Sequence, residues 1–183
     1  MSLPPIIGLT GKAGCGKDTA ADYLVEWHGY QKYSFALPIK RGLNAMFGWT
    51  MSQWDDRQWK EEEDPELGFS PRRAAQTLGT EWGRDLMDPL IWVKAMQRYR
   101  HFNTDEHSYL PLVIPDVRFD NEAEAIAYMG GIVVELVRPT RGEVEPHSSE
   151  DGLRDGLVHA RFTNDGSISE LHTGITAIAG LYA

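Results

Sequence analysis

The sequence predicts a three-layer α/β/α fold built on a mostly parallel, five-stranded sheet. Two observations carry this prediction. Short apolar stretches rich in β-branched residues alternate with helical patterns along the chain, and a glycine-rich loop separates the first such stretch from the first helix. The 183 residues contain no internal repeat and suit one domain, 1–183, with inserted lobes.

The glycine-rich loop follows a first strand predicted at residues 5–10 and precedes a helix predicted from Asp18 to Trp27. It matches the phosphate-binding pattern G-x-x-x-x-G-K-[ST], except that Asp18 stands at the Ser/Thr position and Thr19 follows. Backbone N–H groups of such a loop, and its lysine, bind phosphate. The predicted phosphate-binding residues are Gly14, Cys15, Gly16, Lys17, Asp18 and Thr19. Asp18 and Thr19 are alternative magnesium ligands.

The composition limits the class of partner. A formal net charge of −9, without a local basic stripe, argues against nonspecific nucleic-acid binding and favours a small-molecule partner. The single cysteine excludes an intrachain disulfide and favours a reducing compartment. Because the sequence has no signal-peptide pattern and no apolar stretch of membrane-spanning length, we expect a soluble, cytoplasmic protein.

The second strand is predicted at residues 30–35, and a helix begins at Ala36 and runs to about Phe47. Lys40, in the first turns of this helix, either faces the phosphate loop or solvates the surface. Residues 50–68 combine tryptophans with an acidic run, which is typical of a solvated, mobile insertion that its tryptophans attach to the body.

The next two helices begin with a cap followed by proline, and we predict the first of them from Pro71 to about Arg84. Ala74, Leu78 and Trp82 recur every four residues and should pack inward. The adjacent polar stripe is either a phosphate- and base-binding surface or a solvated face, and its candidate ligands are Arg72, Gln76, Thr80 and Arg84. In the following helix, Trp92 either borders a base or packs in the core.

Polar residues follow the apolar strand predicted at residues 110–115. Ligands of open parallel sheets bind outside the carboxyl ends of the strands, so Asp116 and Arg118 should emerge beside the phosphate loop. An acidic residue at this point holds magnesium or its water shell in phosphate-loop enzymes. The alternative is a turn aspartate and a surface arginine.

The rest of the chain completes the β-α alternation. We predict a short helix after Asn121, a strand at residues 132–137, a last strand at residues 160–163 and a helix from about Ile168 to Ala179. Between these strands lies a long polar stretch, which favours a lid that brings Arg138 or Arg141 onto a transferring phosphoryl group.

Taken together, these segments resemble the bacteriophage-type deoxynucleoside monophosphate kinases. The segments that carry the resemblance are GKAGCGKDT, SFALPIK, RRAAQTLGTEWGRD, VIPDVRFDNEAEAI, VRPTRG with PHSSE, and NDGSISELH. The resemblance implies an adenylate-kinase-like fold that uses ATP and Mg²⁺, with a monophosphate-binding lobe at about 37–104 and a lid at about 138–157. It implies catalytic roles for Lys17, Asp116, Arg118 and Arg138 or Arg141, magnesium binding near Asp18, Thr19 and Asp116, and acceptor binding by Lys12, Arg72 and Arg118.

The implied reaction transfers the γ-phosphoryl group of ATP to a (deoxy)nucleoside 5′-monophosphate. The alternatives are another phosphate-loop kinase, acting on phosphomevalonate or dephospho-coenzyme A, and a non-catalytic nucleotide switch. The chain has no N-K-x-D guanine motif, which argues against the switch. The sequence does not determine which base is accepted. It does not determine the oligomeric state either, and a homodimer is one of the possible states.

Overall fold

The computed structural model describes residues 3–103, 110–139 and 152–182. Its five strands form one sheet in the order β2-β3-β1-β4-β5, and every neighbouring pair is parallel. The strands are β1 (Ile6–Thr10), β2 (Gln31–Lys32), β3 (Leu112–Ile114), β4 (Ile132–Val137) and β5 (Ala160–Thr163). The predicted five-stranded parallel sheet is therefore confirmed.

Helices lie between β1 and β2, between β2 and β3, and between β3 and β4, as crossover connections of parallel strands often do. The helices are α1 (Lys17–His28), α2 (Leu37–Phe47), α3 (Arg57–Glu61), α4 (Pro71–Gln76), α5 (Ile91–Phe102), α6 (Asp120–Tyr128) and α7 (Ile168–Leu181). A short 3-10 helix, Met51–Asp55, precedes α3, and a π-helical segment, Thr77–Met87, continues α4. None of the helices in the described parts of the chain is long and apolar enough to cross a membrane.

The described chain divides into two compact units. The first comprises Met1–Ser34 and Tyr99–Ala183, and the second comprises Phe35–Arg98. The first unit contains the whole sheet. The predicted roles of 37–104 as a monophosphate-binding lobe and of 138–157 as a lid remain predictions, and residues 140–151 of the latter lie outside the described residues.

The core of the first unit packs the sheet against α1 and α7. All five residues of β1 are buried, as the apolar sequence of a central parallel strand predicts. Ala20, Ala21 and Leu24 of α1 and Leu171 and Ile175 of α7 belong to the same buried cluster. Burial stabilises each large aliphatic side chain by about 1.5–3 kcal/mol, so this cluster fixes the strand ends on which the loops depend.

The helix predicted from Pro71 to about Arg84 differs from a regular α-helix. After α4 the backbone widens into π-helical turns, which end where the Asp88 N–H donates to the Gly83 carbonyl at 3.0 Å. Because a π turn holds more residues than an α turn, the four-residue spacing no longer keeps one face. The prediction that Trp82 packs inward is therefore wrong, and its side chain is 42% exposed.

The tryptophans of the predicted insertion pack against one another within the second unit. The ring centroids of Trp49, Trp54 and Trp59 lie 5.3–5.8 Å apart, and the rings meet edge to face. This geometry suits the quadrupoles of aromatic rings. Trp54 also donates its indole N–H to Asn44 Oδ1 at 2.8 Å, which ties the cluster to α2.

Candidate functional site

The glycine-rich loop has the backbone that its sequence predicts. Gly11, Gly14 and Gly16 have φ angles of 125°, 77° and 105°, in the region that favours glycine. Gly16 caps α1 in a left-handed conformation, and no side chain of the described residues caps this helix end. The first N–H groups of α1, together with its dipole, therefore form a site suited to an anion.

Lys17 lies over the loop that precedes it. Its ammonium group donates to the Gly11 carbonyl at 2.6 Å and to the Lys12 carbonyl at 2.8 Å, and lies 3.6 Å from Cys15 Sγ. Cys15 is 2% exposed, which agrees with a small residue buried beneath the loop. The positive charge of Lys17 is thus held at the loop by the loop's own carbonyl groups.

Asn164 supports the loop, a role that the sequence analysis did not predict. It follows β5, is 6% exposed, and donates its Nδ2 to the Cys15 carbonyl at 2.9 Å. Its own backbone N–H donates to the Val137 carbonyl at 2.7 Å, so β4 holds Asn164 and Asn164 holds the loop. The signal in the sequence was a polar amide directly after a strand.

Asp116 lies where the strand pattern predicts it, just after β3, which pairs directly with β1. Its Oδ2 accepts a hydrogen bond from Ser34 Oγ at 2.6 Å. Ser34 follows β2, the other neighbour of β3, so the ends of two adjacent parallel strands bring this pair together. Sequence reasoning missed Ser34.

Asp18 forms an ion pair in the first unit. Its Oδ1 lies 3.0 Å from Lys32 Nζ, and Asp22, one turn later on α1, lies 2.9 Å from the same nitrogen. Partial burial lowers the pKa of Lys32, but the hydrogen bonds and charges of Asp22 and Asp18 outweigh burial and raise it overall. Thr19, the alternative magnesium ligand, is exposed.

Arg118 presents an exposed side chain from a braced backbone. Its N–H donates to Glu122 Oε2 at 2.8 Å, and the Phe119 N–H donates to the same oxygen at 3.1 Å. Glu122 is 1% exposed, so a buried carboxylate holds the turn that carries Arg118. Asp120 on the same turn accepts two hydrogen bonds from Arg154, which comes from the far side of the undescribed stretch.

Besides Lys17, two of the predicted loop and lid cations lie in the described first unit. Arg138, directly after β4, has an Nη1 that lies 3.5 Å from the Gly14 carbonyl, so its guanidinium is beside the phosphate loop. Lys12 is an exposed residue of the loop itself. Arg141 lies outside the described residues.

The remaining predicted ligands belong to the second unit and are described within it. Lys40 Nζ lies 5.6 Å from the centroid of the Trp54 ring, and Arg72 Nε pairs with Glu61 Oε1 at 2.8 Å. Gln76 and Thr80 are exposed, and Arg84 is half-buried. Trp92 is 6% exposed and donates its indole N–H to the Gly79 carbonyl at 2.7 Å, which gives it a packing role.

The acidic residues near the loop fit a magnesium ion held partly by its nucleotide. Among the described residues, no group of three or more His, Cys, Asp or Glu side chains converges as a metal cage. Magnesium in phosphoryl-transfer sites is usually bound by one or two carboxylates together with phosphates and water. The side chains of Asp18 and Asp116 supply oxygen donors of this kind.

Comparison with known proteins identifies relatives. The family model described as deoxynucleotide monophosphate kinase matches residues 5–63 and 56–175. A protein of Acanthamoeba polyphaga mimivirus, provisionally named a deoxynucleotide monophosphate kinase, is 33% identical over 158 residues, covering 81% of this chain and 82% of its own length. The deoxynucleotide monophosphate kinase of Enterobacteria phage T4 is 39% identical over 112 residues, covering 58% of this chain and 44% of the phage protein.

A solved structure supports the fold assignment. A protein of Thermus thermophilus with a known crystal structure is 18% identical, and the superposition covers 99% of each chain with a TM-score of 0.53. This likeness shows a shared fold.

Proposed function

Since the chain belongs to the deoxynucleotide monophosphate kinase family, we propose that it transfers the γ-phosphoryl group of ATP to a deoxynucleoside 5′-monophosphate. The products are the deoxynucleoside diphosphate and ADP. The observation that carries the proposal is the loop between β1 and α1, where glycines of positive φ lead into an uncapped helix start beneath Lys17. Asp116 stands at the end of the neighbouring strand.

The chemistry of the acceptor explains why the site needs no protein nucleophile. A nucleoside monophosphate has a second phosphate pKa of about 6, so at neutral pH the acceptor oxygen is already largely deprotonated. Catalysis then depends on holding donor and acceptor in line and on stabilising the charge of the transferring group. Backbone N–H groups and cations are the residues that this task requires.

The donor phosphates are assigned to the loop. The N–H groups of Gly14, Cys15 and Gly16 and the first turn of α1 bind phosphate oxygens, and Lys17 exchanges its contacts with loop carbonyls for contacts with phosphate. Arg138, already beside the Gly14 carbonyl, adds charge to the transferring group. Arg141 is proposed for the same role.

Asp116 and either Asp18 or Thr19 would hold a magnesium ion. When bound, the ion supplies positive charge to the phosphates of ATP. The ion pair with Lys32 holds the Asp18 carboxylate beside the first turn of α1. A triphosphate repels a neighbouring carboxylate. The positive charge of Lys32 offsets this repulsion and so stabilises the Asp18 carboxylate beside the phosphates.

The acceptor is assigned to cations and polar groups that the family resemblance indicates. Arg118 binds the acceptor phosphate from the braced turn before α6, and Lys12 adds charge from the loop. The proposal extends to residues of the second unit, namely Lys40, Arg72, Gln76, Thr80 and Arg84. It does not extend to Trp92, because the ring of Trp92 is packed and its N–H is bonded.

The test is an ADP-release assay with MgATP and a panel of deoxyribonucleoside and ribonucleoside monophosphates. We expect release with at least one deoxynucleoside monophosphate and loss of turnover in Lys17→Met. Arg118→Ala should lose at least tenfold, which is about 1.4 kcal/mol of barrier. If folded protein binds nucleotide but transfers phosphate to none of the acceptors, the proposal fails.

A further inference from the structure

The side chains of Lys32, Tyr33 and Ser34, at the end of β2 and just after it, alternate in direction. Tyr33 is 2% exposed, its ring centroid lies 4.9 Å from that of Tyr99, and its N–H donates to the Val113 carbonyl at 2.9 Å. This hydrogen bond flanks the Lys32–Val113 pair, the last pair in the register of β2 with β3. In an extended chain, alternate side chains point to opposite faces, so Lys32 and Ser34 share the face opposite Tyr33.

Each of these two side chains contacts one acidic residue of the proposed magnesium site. Lys32 Nζ lies 3.0 Å from Asp18 Oδ1, and Ser34 Oγ donates to Asp116 Oδ2 at 2.6 Å. Asp18 comes from α1 and Asp116 from the end of β3, so the acidic residues belong to different elements. The end of β2 is where contacts to both of them originate.

We propose that Lys32 and Ser34 are positioning residues for metal-dependent nucleotide binding, Ser34 by orienting the Asp116 carboxylate and Lys32 by holding that of Asp18. This inference rests on the proposed function, which assigns Asp116 to the magnesium ion, and it takes Asp18 rather than Thr19 as the second ligand. Neither residue touches a reacting group, and each acts through the acidic residue that it contacts.

The Ser34 contact has the geometry of a strong hydrogen bond. A hydroxyl that donates to a carboxylate at 2.6 Å is charge-assisted and fixes the rotation of the carboxylate plane. Magnesium demands near-ideal coordination geometry, so a carboxylate that turns freely binds it less well than one already oriented. Loss of the hydroxyl should therefore weaken the metal-dependent part of nucleotide binding.

Lys32 has a second acidic partner, Asp22, so its charge stays paired when Asp18 turns away. Lys32 Nζ is shared between Asp18 at 3.0 Å and Asp22 at 2.9 Å. If Asp18 turns toward a metal ion, Asp22 still pairs with the ammonium group. Without bound metal, Lys32 offsets the charge of Asp18 beside the phosphates, so its removal should weaken binding of metal-free nucleotide more than binding of the magnesium complex.

The experiment measures ADP affinity by calorimetry, in saturating Mg²⁺ and in EDTA, and takes the ratio of the two constants as the metal coupling. We expect Ser34→Ala to lower this coupling at least threefold and Ser34→Thr to retain it. Lys32→Gln should weaken ADP binding in EDTA at least threefold. Ser169→Ala and Arg161→Gln are matched controls, an exposed serine and one partner of the exposed Arg161–Glu135 pair in the same unit, and should change neither quantity.

Double-mutant cycles show whether each residue acts through its carboxylate. Ser34→Ala should have no further effect in Asp116→Asn, and Lys32→Gln should have none in Asp18→Asn. Unaltered coupling in Ser34→Ala, additive effects in the cycles, or a wild-type protein without metal coupling would each overturn the inference. Transfer activity of the wild-type protein, measured separately, reports on the proposed function, so the two failures are distinguishable.

Discussion

At the scale of single residues, the phosphate loop depends on glycines that are not equivalent. A Cβ at Gly11 would overlap the Leu136 carbonyl oxygen, whereas one at Gly14 would meet no atom within 4 Å. Both residues have positive φ, which costs an L-residue about 1–3 kcal/mol. Alanine at Gly14 therefore adds backbone strain alone, whereas alanine at Gly11 adds backbone strain and a steric clash.

We predict that Gly11→Ala lowers the free energy of unfolding by at least about twice as much as Gly14→Ala. Gly14→Ala should cost about 1–2 kcal/mol, since it carries the strain alone. Urea unfolding of the two variants measures the difference. Equal losses would show that β4 yields to the added methyl group.

A second residue-scale prediction concerns Asn164, which donates to the Cys15 carbonyl at 2.9 Å. Asn164→Asp keeps the shape but places a carboxylate oxygen against that carbonyl, so it should destabilise the protein by about 1–3 kcal/mol at pH 8. Only a protonated Asp can donate, so the loss should be smaller at pH 5 in matched thermal unfolding experiments. A loss that does not vary with pH would contradict the donor role of Asn164.

At the scale of elements, Arg154 joins its own segment to the start of α6 through hydrogen bonds and ion pairs. Arg154 donates its backbone N–H to Asp120 Oδ1 at 3.0 Å and its Nε to Oδ2 at 2.5 Å, and it reaches Glu124 on the next turn. The backbone hydrogen bond, followed by the side-chain bond and charge of Arg154, lowers the pKa of Asp120. The segment after the undescribed residues is thus fastened to the turn that carries Arg118.

Because the pKa of Asp120 is lowered in the folded protein, its contribution is present above the unfolded pKa of about 3.9 and is lost as the pH falls through the folded value. We expect Asp120→Asn to lower the melting temperature at pH 7 and to match the wild type increasingly closely at acid pH below about 4. Asp155→Asn, in the same segment, is the control. A difference that persists at the lowest pH would mean that the contact does not depend on the charge of Asp120.

Also at this scale, the chain order of strands and helices was predictable, whereas the side-chain contacts of the site were not. The bounds of β4 and β5 match their predictions because apolar residues flanked by turn formers define them. The predicted second strand was too long, since β2 is an edge strand that leaves the sheet soon after Lys32. The Ser34–Asp116 and Asn164–Cys15 contacts join residues 82 and 149 positions apart, and no local pattern encodes such pairs.

At the scale of the whole molecule, the tryptophans are divided unequally between the two units. Five of the six tryptophans (Trp49, Trp54, Trp59, Trp82 and Trp92) lie in the second unit, and Trp27 lies in the first. The buried cluster around the sheet is made of first-unit residues alone. Tryptophan fluorescence therefore reports mainly on the second unit, and amide exchange in β1 and β4 reports on the first.

We predict that MgADP raises the stability measured by amide exchange in β1 and β4 more than that measured by tryptophan fluorescence. The nucleotide is assigned to the loop of the first unit, and a ligand stabilises the part of a protein that binds it. Denaturant titrations with and without MgADP, read by both methods, test this. Equal shifts would show that the two units unfold as one cooperative body.

The buried position of Cys15 beneath Lys17 has a practical consequence. As the chain has one thiol, a thiol-specific reagent can react with folded protein only when the phosphate loop opens enough to expose Sγ. The rate at which the reagent labels Cys15 therefore measures how often the phosphate loop opens, and no probe has to be engineered. The factor by which nucleotide slows the labelling measures how far a bound phosphate stabilises the closed loop.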